Sequence, residues 1–234
     1  MKKQLVYDLP TRFFHWLFSG CFVTAFLIAK TQDNESAVFS YHMLFGLTLG
    51  FLILLRTFWG VLGTQHARFS SFPLSPKSLV RYFRGILLGD TQRWAGHNPA
   101  SSWAALFMLV LGLGSSATGY LMASGFEKEN IEDIHEVFAN SFAVVALTHI
   151  SGILLHTLRL KDWIGLSMLT GKKTDIPPTK EIPSSKPVMG LLFLMVALGF
   201  FAFLVTQYDS QKGQLHLFGT TLVLGEDQEM KKED

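Results

Sequence analysis

The chain has 234 residues and a net charge of only +2, its mean hydropathy is +0.30, and 49% of its residues are hydrophobic against 16% charged. This composition argues against a water-soluble enzyme. The single cysteine, Cys21, excludes an internal disulfide and a Cys-x-x-Cys-His haem attachment.

Five apolar stretches reach the length of a membrane-spanning helix, which needs about 20 residues. In chain order they cover residues 13–29, 38–62, 101–123, 137–158 and 188–206. A lone segment in lipid must satisfy its own backbone hydrogen bonds, so each stretch is predicted to be a helix. The first is predicted as a retained span, since no convincing signal-peptide cleavage site follows it. The third has a typical helix start at Asn98 and Pro99.

The distribution of charge between the spans predicts their orientation. One set of connecting segments carries 15 Lys and Arg against 5 Asp and Glu; these are residues 1–12, 56–100 and 159–187. The other set carries 5 Lys and Arg against 13 Asp and Glu; these are residues 30–37, 124–136 and 207–234. Basic segments stay in the cytoplasm. The N-terminus is therefore expected inside, and the acidic loop 127–136 and the C-terminus outside, in the periplasm of a diderm bacterium.

Four of the eight histidines fall in or at the edges of the predicted spans, where an ionisable residue is a functional hypothesis by default. His135 and His149 are 14 residues apart, so they share nearly one helix face and lie about 21 Å apart along the axis. His15 opens the first span on the inner side, and His42 opens the second on the outer side. Depth alone therefore pairs His15 with His149 and His42 with His135.

Two histidine pairs at two depths are what two stacked haems require, because imidazole is a common axial ligand of haem iron. Gly46 and Gly50 follow His42 on the same face and are predicted to leave room for a flat macrocycle. Arg12, together with Arg56 and Arg159, is predicted at the inner ends of the spans, near haem propionates. The alternatives are hydrogen bonds across helices for the histidines, close helix packing for the glycines and cytoplasmic anchoring for the arginines. Zinc binding or a proton relay is a further alternative.

Several motifs resemble bacterial di-haem membrane cytochromes b, namely the prokaryotic cytochrome b561 group and the cytochrome b subunit of nickel–iron hydrogenases. These motifs are VYDLPTRFFHWLF, YHMLFGLTLGFLILLRTFWGVLG, HARFSSF, GHNPASSW, ATGYLM and IHEVFANSFAVVALTHISGILLH. The resemblance covers roughly residues 5–172. It implies an all-α integral membrane protein of the bacterial cytoplasmic membrane. Its four-helix core is implied to bind two haems b, with axial ligands that are the same four histidines, His15, His42, His135 and His149.

The resemblance and the composition of the remaining residues together predict a division of the chain. Residues 1–172 are expected to form the di-haem four-helix domain, and residues 173–187, rich in Pro and Lys, a linker. Residues 188–206 are expected to form a fifth, C-terminal transmembrane helix, and residues 207–234 an acidic extracytoplasmic tail. The fifth helix and the tail extend beyond the four-helix relatives.

The remaining histidines have weaker assignments. His156 is predicted either to contact a haem propionate or quinone, or to lie at the membrane interface. His66 and His97 lie in the predicted cytoplasmic loop, where a quinone-side or proton-handling role competes with a structural one. His216 lies in an alternating stretch that predicts a short hairpin, either a docking element or an ordinary surface hairpin.

The function implied by the resemblance is electron transfer between the membrane quinone pool and a redox partner. The acidic outer segments favour a periplasmic c-type cytochrome with a basic docking face, and a hydrogenase-like complex is the other expected partner. No nucleic-acid partner is expected. A stand-alone enzyme on the same scaffold, such as a superoxide:quinone oxidoreductase, is the first alternative, although the acidic outer face would repel an anion. A haem-free membrane anchor or transporter is the second.

Overall fold

The computed structural model describes residues 3–88, 94–126, 128–161, 163–174 and 176–224. Helices dominate the described residues, which also contain short strands. The helices are α1 (Leu9–Thr31), α2 (Phe39–Leu62), α3 (Pro76–Leu88), α4 (Pro99–Ala123), α5 (Lys128–Leu160), α6 (Ser167–Thr170) and α7 (Pro187–Gln207). The strands are β1 (Lys3–Leu5), β2 (Lys172–Thr174), β3 (Tyr208–Asp209), β4 (Gln214–Leu217) and β5 (Thr220–Val223).

Within the described residues, five helices are long and apolar enough to cross a membrane. They are Leu9–Thr31, Phe39–Leu62, Pro99–Ala123, Asn130–Arg159 and Pro187–Gln207. Each overlaps one of the five stretches that the sequence predicts, so the all-α integral membrane fold with a fifth C-terminal span is confirmed.

The surfaces of these helices are strongly apolar. In the most apolar part of α5 only 6% of the residues are buried inside the protein. Val144, Leu147 and Ile150 are among its large exposed side chains. Contiguous exposed apolar surface of this kind is unfavourable in water, so lipid is the medium that covers it.

The chain divides into two compact units. Unit 1 comprises Met1–His15, Leu54–Val110 and Phe142–Leu194. Unit 2 comprises Trp16–Ile53, Leu111–Ser141 and Met195–Asp234. Each of the five spanning helices contributes residues to both units.

In unit 1 the start of the chain is tied to the segment that follows α6. Strands β1 and β2 pair antiparallel, and the next two backbone N–H groups, of Val6 and Tyr7, donate to the carbonyl of Gly171 at 2.7 and 3.0 Å. Gly171 has a φ of +76°, and a Cβ there would lie 2.7 Å from the Tyr7 carbonyl oxygen. Glycine is therefore required where these segments meet.

Asp8 fixes the start of α1. Its carboxylate accepts a hydrogen bond of 2.9 Å from the backbone N–H of Thr11, the usual pattern of a helix N-cap. The same carboxylate, which is fully buried, also accepts from the Trp59 indole at 3.1 Å and from the Thr64 hydroxyl. Asp8 thus connects α1 to the end of α2 and to the loop that follows it.

In unit 2 the three-stranded antiparallel sheet β3–β4–β5 covers an apolar core. The core side chains are Met43, Leu44, Ala123, Leu204, Leu215, Leu217, Leu222 and Leu224. The Tyr208 hydroxyl donates to Ser40 Oγ at 2.7 Å. The first part of the predicted tail 207–234 is therefore a folded element, and its last residues, 225–234, lie outside the described residues.

His216 lies on β4 of this sheet. Its ring is exposed, and its Nδ1 lies 3.1 Å from the Thr221 hydroxyl on the paired strand. The hairpin predicted around His216 is confirmed.

The prediction that the acidic segment 127–136 is a loop is wrong, because α5 begins at Lys128. Glu127 lies outside the described residues. Glu132, Asp133 and Glu136 are exposed on the first turns of the helix. Glutamate has good helix propensity, and negative side chains are favourable near a helix N-terminus. The helix therefore extends beyond its apolar part.

The sequence analysis did not predict α3, which lies within the loop between the second and third spans. Its exposed apolar side chains Val80, Phe83 and Leu87 follow a spacing of three and four residues, which places them on one helix face. The available signal was Ser75 followed by Pro76, a common helix start.

Candidate functional site

His42 and His135 lie side by side in unit 2. His42 is in the first turn of α2 and His135 in the second turn of α5. Their ring centroids are 5.9 Å apart, with an angle of 73° between the ring planes. His42 and His135 are 93 positions apart in sequence, so their proximity is a property of the tertiary structure.

The Nδ1 atoms of both rings are held by hydrogen bonds. His42 Nδ1 lies 2.9 Å from the carbonyl oxygen of Ala25, which can only accept, so Nδ1 carries the proton. His135 Nδ1 lies 3.0 Å from Thr118 Oγ1. The Thr118 hydroxyl donates its own proton to the Gly114 carbonyl at 2.8 Å, so it accepts from His135. In both histidines Nε2 is therefore the unprotonated nitrogen that can bind a metal.

This geometry fits a metal held between two imidazoles. Metal–nitrogen bonds of about 2 Å on opposite sides of one ion place the two ring centroids roughly 6 Å apart. Within the described residues no group of three or more His, Cys, Asp or Glu side chains could hold a metal ion. Haem iron needs only two protein ligands because the porphyrin supplies four nitrogens, so the pair His42 and His135 fits that group.

The two glycines that follow His42 have different surroundings. A Cβ at Gly46 would meet nothing within 4 Å, so open space borders this position. A Cβ at Gly50 would lie 2.9 Å from Ser116 Cβ on α4, and the Ser116 hydroxyl donates to the Gly46 carbonyl at 2.9 Å. Close packing of α2 against α4 therefore explains the glycine at position 50, and space beside the helix is what distinguishes position 46.

Two residues of this site were missed by the sequence analysis. Thr118 holds His135, and Gly119 brings α4 close to the same ring, because a Cβ at Gly119 would lie 3.4 Å from His135 Cε1. Both belong to the motif ATGYLM, which the sequence analysis uses only for the family resemblance.

His15 and His149 both belong to unit 1. They lie close enough for a charge on one ring to act on the other, and both side chains are half-buried. Gly152, three residues after His149, borders open space, since a Cβ there would meet nothing within 4 Å. The two histidines of this pair therefore lie in the same unit, within reach of each other's charge.

The three arginines at the predicted inner ends of the spans lie in different environments. Arg12 donates from Nε to the Met168 carbonyl at 3.4 Å. Arg56 is buried and donates from Nη2 to the Ala67 carbonyl at 2.8 Å, with its guanidinium over the ring of Phe69 at 4.8 Å. Arg159 is exposed, as a cytoplasmic anchor would be.

The weaker histidine candidates of unit 1 have structural contacts. His66 Nε2 lies 2.8 Å from the Lys180 carbonyl, to which it can only donate. Desolvation lowers the pKa of His66, and the charges of Lys173 and Lys180 lower it further, against the effect of this hydrogen bond. His156 Nδ1 lies 3.3 Å from the Tyr82 hydroxyl, which joins α5 to α3. Burial raises the pKa of Tyr82 to about 12, so the hydroxyl keeps its proton.

The family model described as prokaryotic cytochrome b561 matches residues 6–171, which is most of the chain. No curated protein and no solved structure matches the chain. The matched range begins before α1 and ends at the residue before β2, so α7 and the sheet β3–β4–β5 lie beyond it.

Proposed function

The chain belongs to the prokaryotic cytochrome b561 family, and we propose that it carries two haems b, one on His42 and His135 and one on His15 and His149. Membership makes it a multi-pass membrane b-type cytochrome that takes part in electron transfer. We further propose that it passes electrons between membrane quinone and a redox partner.

The observation that carries the proposal is the pair His42 and His135. The rings are 5.9 Å apart, and each Nδ1–H donates to a fixed oxygen atom, of Ala25 or Thr118. Hydrogen bonds of this kind fix the tautomer and the orientation of a metal-binding histidine and raise its basicity. Both Nδ1 atoms are thus occupied, which leaves the two Nε2 atoms as the candidate metal ligands of this pair.

Haem iron, when bound, supplies one-electron redox chemistry, and the protein sets its potential. His42 and His135 would hold the iron, and the exposed apolar surfaces of the spanning helices keep both sites in a medium of low dielectric constant. The 14-residue spacing of His135 and His149 on α5 predicts about 21 Å between the two ligands along the helix axis. This spacing supports a route for electrons across the membrane.

The partner is proposed from charge. The segments predicted to lie on the outer side of the membrane are acidic, and Glu132, Asp133 and Glu136 are exposed on α5. Such a surface attracts a basic protein and repels a small anion. We therefore favour a periplasmic c-type cytochrome as the partner, with quinone as the membrane carrier, the N-terminus in the cytoplasm and the C-terminus in the periplasm.

The test is haem stoichiometry in purified single-site variants. The wild-type protein should give two haems b per chain by pyridine haemochrome analysis. His42→Ala and His135→Ala should each lose the same haem, and His15→Ala and His149→Ala should each lose the other. His216→Ala is the matched control, because its ring is exposed on β4 and it should keep both haems. Loss of the same spectral component in His15→Ala and His42→Ala would contradict the pairing.

Electron transfer is tested separately with the wild-type protein in lipid vesicles. Reduced quinone in the vesicles should reduce both haems, and a basic c-type cytochrome added outside should reoxidise them. The rate of reoxidation should fall as salt is added, since salt screens attraction between exposed charges. Haems that quinol cannot reduce would remove the quinone part of the proposal.

A further inference from the structure

His97, in the loop before α4, belongs to a group of aromatic and basic side chains in unit 1 that is defined here as the loop cluster. Its members are Tyr7, Arg56, Phe69, Phe72, His97 and Lys173. Five segments that lie far apart in sequence supply these residues, and all of them are outside the two histidine pairs described above.

The His97 ring is held from two sides. Its centroid lies 4.5 Å from that of Phe72 and 5.5 Å from that of Tyr7, which meets it edge on. Lys173 Nζ donates to the Trp94 and Gly96 carbonyls at 3.2 and 2.7 Å, which fixes the backbone just before His97. The imidazole therefore has a set position.

Arg56 joins the same cluster through aromatic contacts. Its guanidinium carbon lies 4.8 Å from the ring centroid of Phe69, and the Phe69 ring is 5.6 Å from that of Phe72. On another side the guanidinium lies 5.8 Å from the ring of Phe14, the residue before His15. Arg56 thus connects the other members of the loop cluster to the segment that carries one proposed haem ligand.

Two buried polar atoms of the loop cluster have no hydrogen-bond partner among the described residues. They are His97 Nδ1 and Arg56 Nη1. Most buried polar atoms in proteins are hydrogen-bonded, and each exception calls for an explanation. An acceptor that is not part of the polypeptide would satisfy atoms of this kind.

The charge of the cluster indicates that this acceptor is an anion. Arg56 and Lys173 are two cations, and the carboxylate of Asp8, whose charge acts on Arg56, offsets only one of them, so a net positive charge remains. Desolvation lowers the pKa of His97 well below its usual range, and the charges of Arg56 and Lys173 lower it further. The ring is therefore neutral and keeps one proton to donate.

His97 also lies close enough to His149 for their charges to interact. We propose that His97 Nδ1–H and Arg56 Nη1–H together bind one propionate carboxylate of the haem on His15 and His149. This inference rests on the proposed function, because it needs a haem at that pair. Hydrogen bonds from a guanidinium to a carboxylate are short and strong, and those around a haem tune its reduction potential.

The test compares variants of His97 by spectroelectrochemical titration of the two haems. His97→Leu removes the donor, whereas His97→Gln keeps a side-chain N–H. His66→Gln is the matched control, since His66 is a second loop histidine whose Nε2 is occupied by the Lys180 carbonyl. His42→Ala identifies which spectral component belongs to the other pair.

In His97→Leu the propionate loses a donor, and its less compensated negative charge favours the oxidised iron. The reduction equilibrium constant of the haem on His15 and His149 should fall about tenfold, which is a potential about 59 mV lower for one electron. The shift should be smaller in His97→Gln and absent in His66→Gln. The haem on His42 and His135 should keep its potential in all three variants.

Two unchanged potentials in a His97→Leu protein with both haems would overturn the inference, as would a shift confined to the haem on His42 and His135. Loss of only the haem on His15 and His149 would support it. If His97→Leu does not fold, resonance Raman of the wild-type protein decides. Propionate bending bands of that haem should shift in deuterated buffer, and unchanged bands would overturn the inference. A wild-type protein with fewer than two haems contradicts the proposed function itself.

Discussion

Replacing Thr118 by Val removes the hydroxyl that accepts the His135 Nδ1–H at 3.0 Å and keeps the shape of the side chain. The imidazole N–H then loses its acceptor in a partly buried site. An unsatisfied buried donor costs about 1–3 kcal/mol, and loss of a hydrogen bond that orients a metal-binding histidine typically lowers metal affinity about 10–100-fold. These two ranges agree, because tenfold corresponds to about 1.4 kcal/mol.

The assay is the rate at which each haem passes from the purified protein to an excess of a haem-scavenging apoprotein. In Thr118→Val the haem that His135→Ala lacks should leave about 10–100-fold faster, and the other haem should leave at the wild-type rate. Thr118→Ser keeps a hydroxyl and should stay close to wild type. Thr48→Val is the control, because Thr48 is also a buried helical threonine whose hydroxyl donates to a backbone carbonyl, that of Leu44 at 2.8 Å. A Thr118→Val protein that holds both haems as tightly as wild type would refute the role of Thr118 in holding His135.

Four further predictions concern packing, the space beside Gly46 and helix capping. Gly50→Ala should destabilise the protein by about 1–3 kcal/mol in thermal unfolding, because its Cβ would lie 2.9 Å from Ser116 Cβ. Gly46→Leu enters open space, so it should lower the content of the haem on His42 and His135 with less effect on the fold. An unchanged melting temperature in Gly50→Ala would contradict the close packing. Asp8→Ala should cost at least the 0.5–2 kcal/mol or so of a lost N-cap, measured by the same melting experiment, and a neutral result would remove its role at the start of α1. Leu222→Ala should cost about 2–5 kcal/mol of local stability, since Leu222 is fully buried under the sheet β3–β4–β5. The variant should therefore be cleaved faster than wild type by a protease within this sheet. Equal cleavage rates in the variant and the wild type would argue against a packed sheet.

The spanning helices were predictable because hydropathy reports directly on the medium that surrounds each segment. The predicted stretch 38–62 differs from α2 (Phe39–Leu62) by one residue at its start. The predicted stretch 137–158 was too short by nine residues at its N-terminal side, since α5 begins at Lys128. Charged residues outside lipid can extend a helix, and hydropathy does not register that extension.

The histidines were selected from the sequence by a similar argument of cost. An imidazole inside a membrane is expensive, so four at matching depths were assigned a function, and the structure brings His42 and His135 to a ring separation of 5.9 Å. The different roles of the two glycines that follow His42 could not be predicted in this way. Gly46 and Gly50 lie on one helix face, and only the position of Ser116 on α4 distinguishes a packing contact from an open space.

The sequence by itself determined the spanning segments, the charged connections and the histidines that merit attention, because each of these follows from whether residues in a local stretch prefer water or lipid. The tertiary structure alone decided that Thr118 holds His135 and that Lys173 fixes the backbone just before His97. Such contacts depend on how each helix is rotated about its axis and where each loop returns. Residues far apart in sequence jointly fix that geometry, and no local pattern records it.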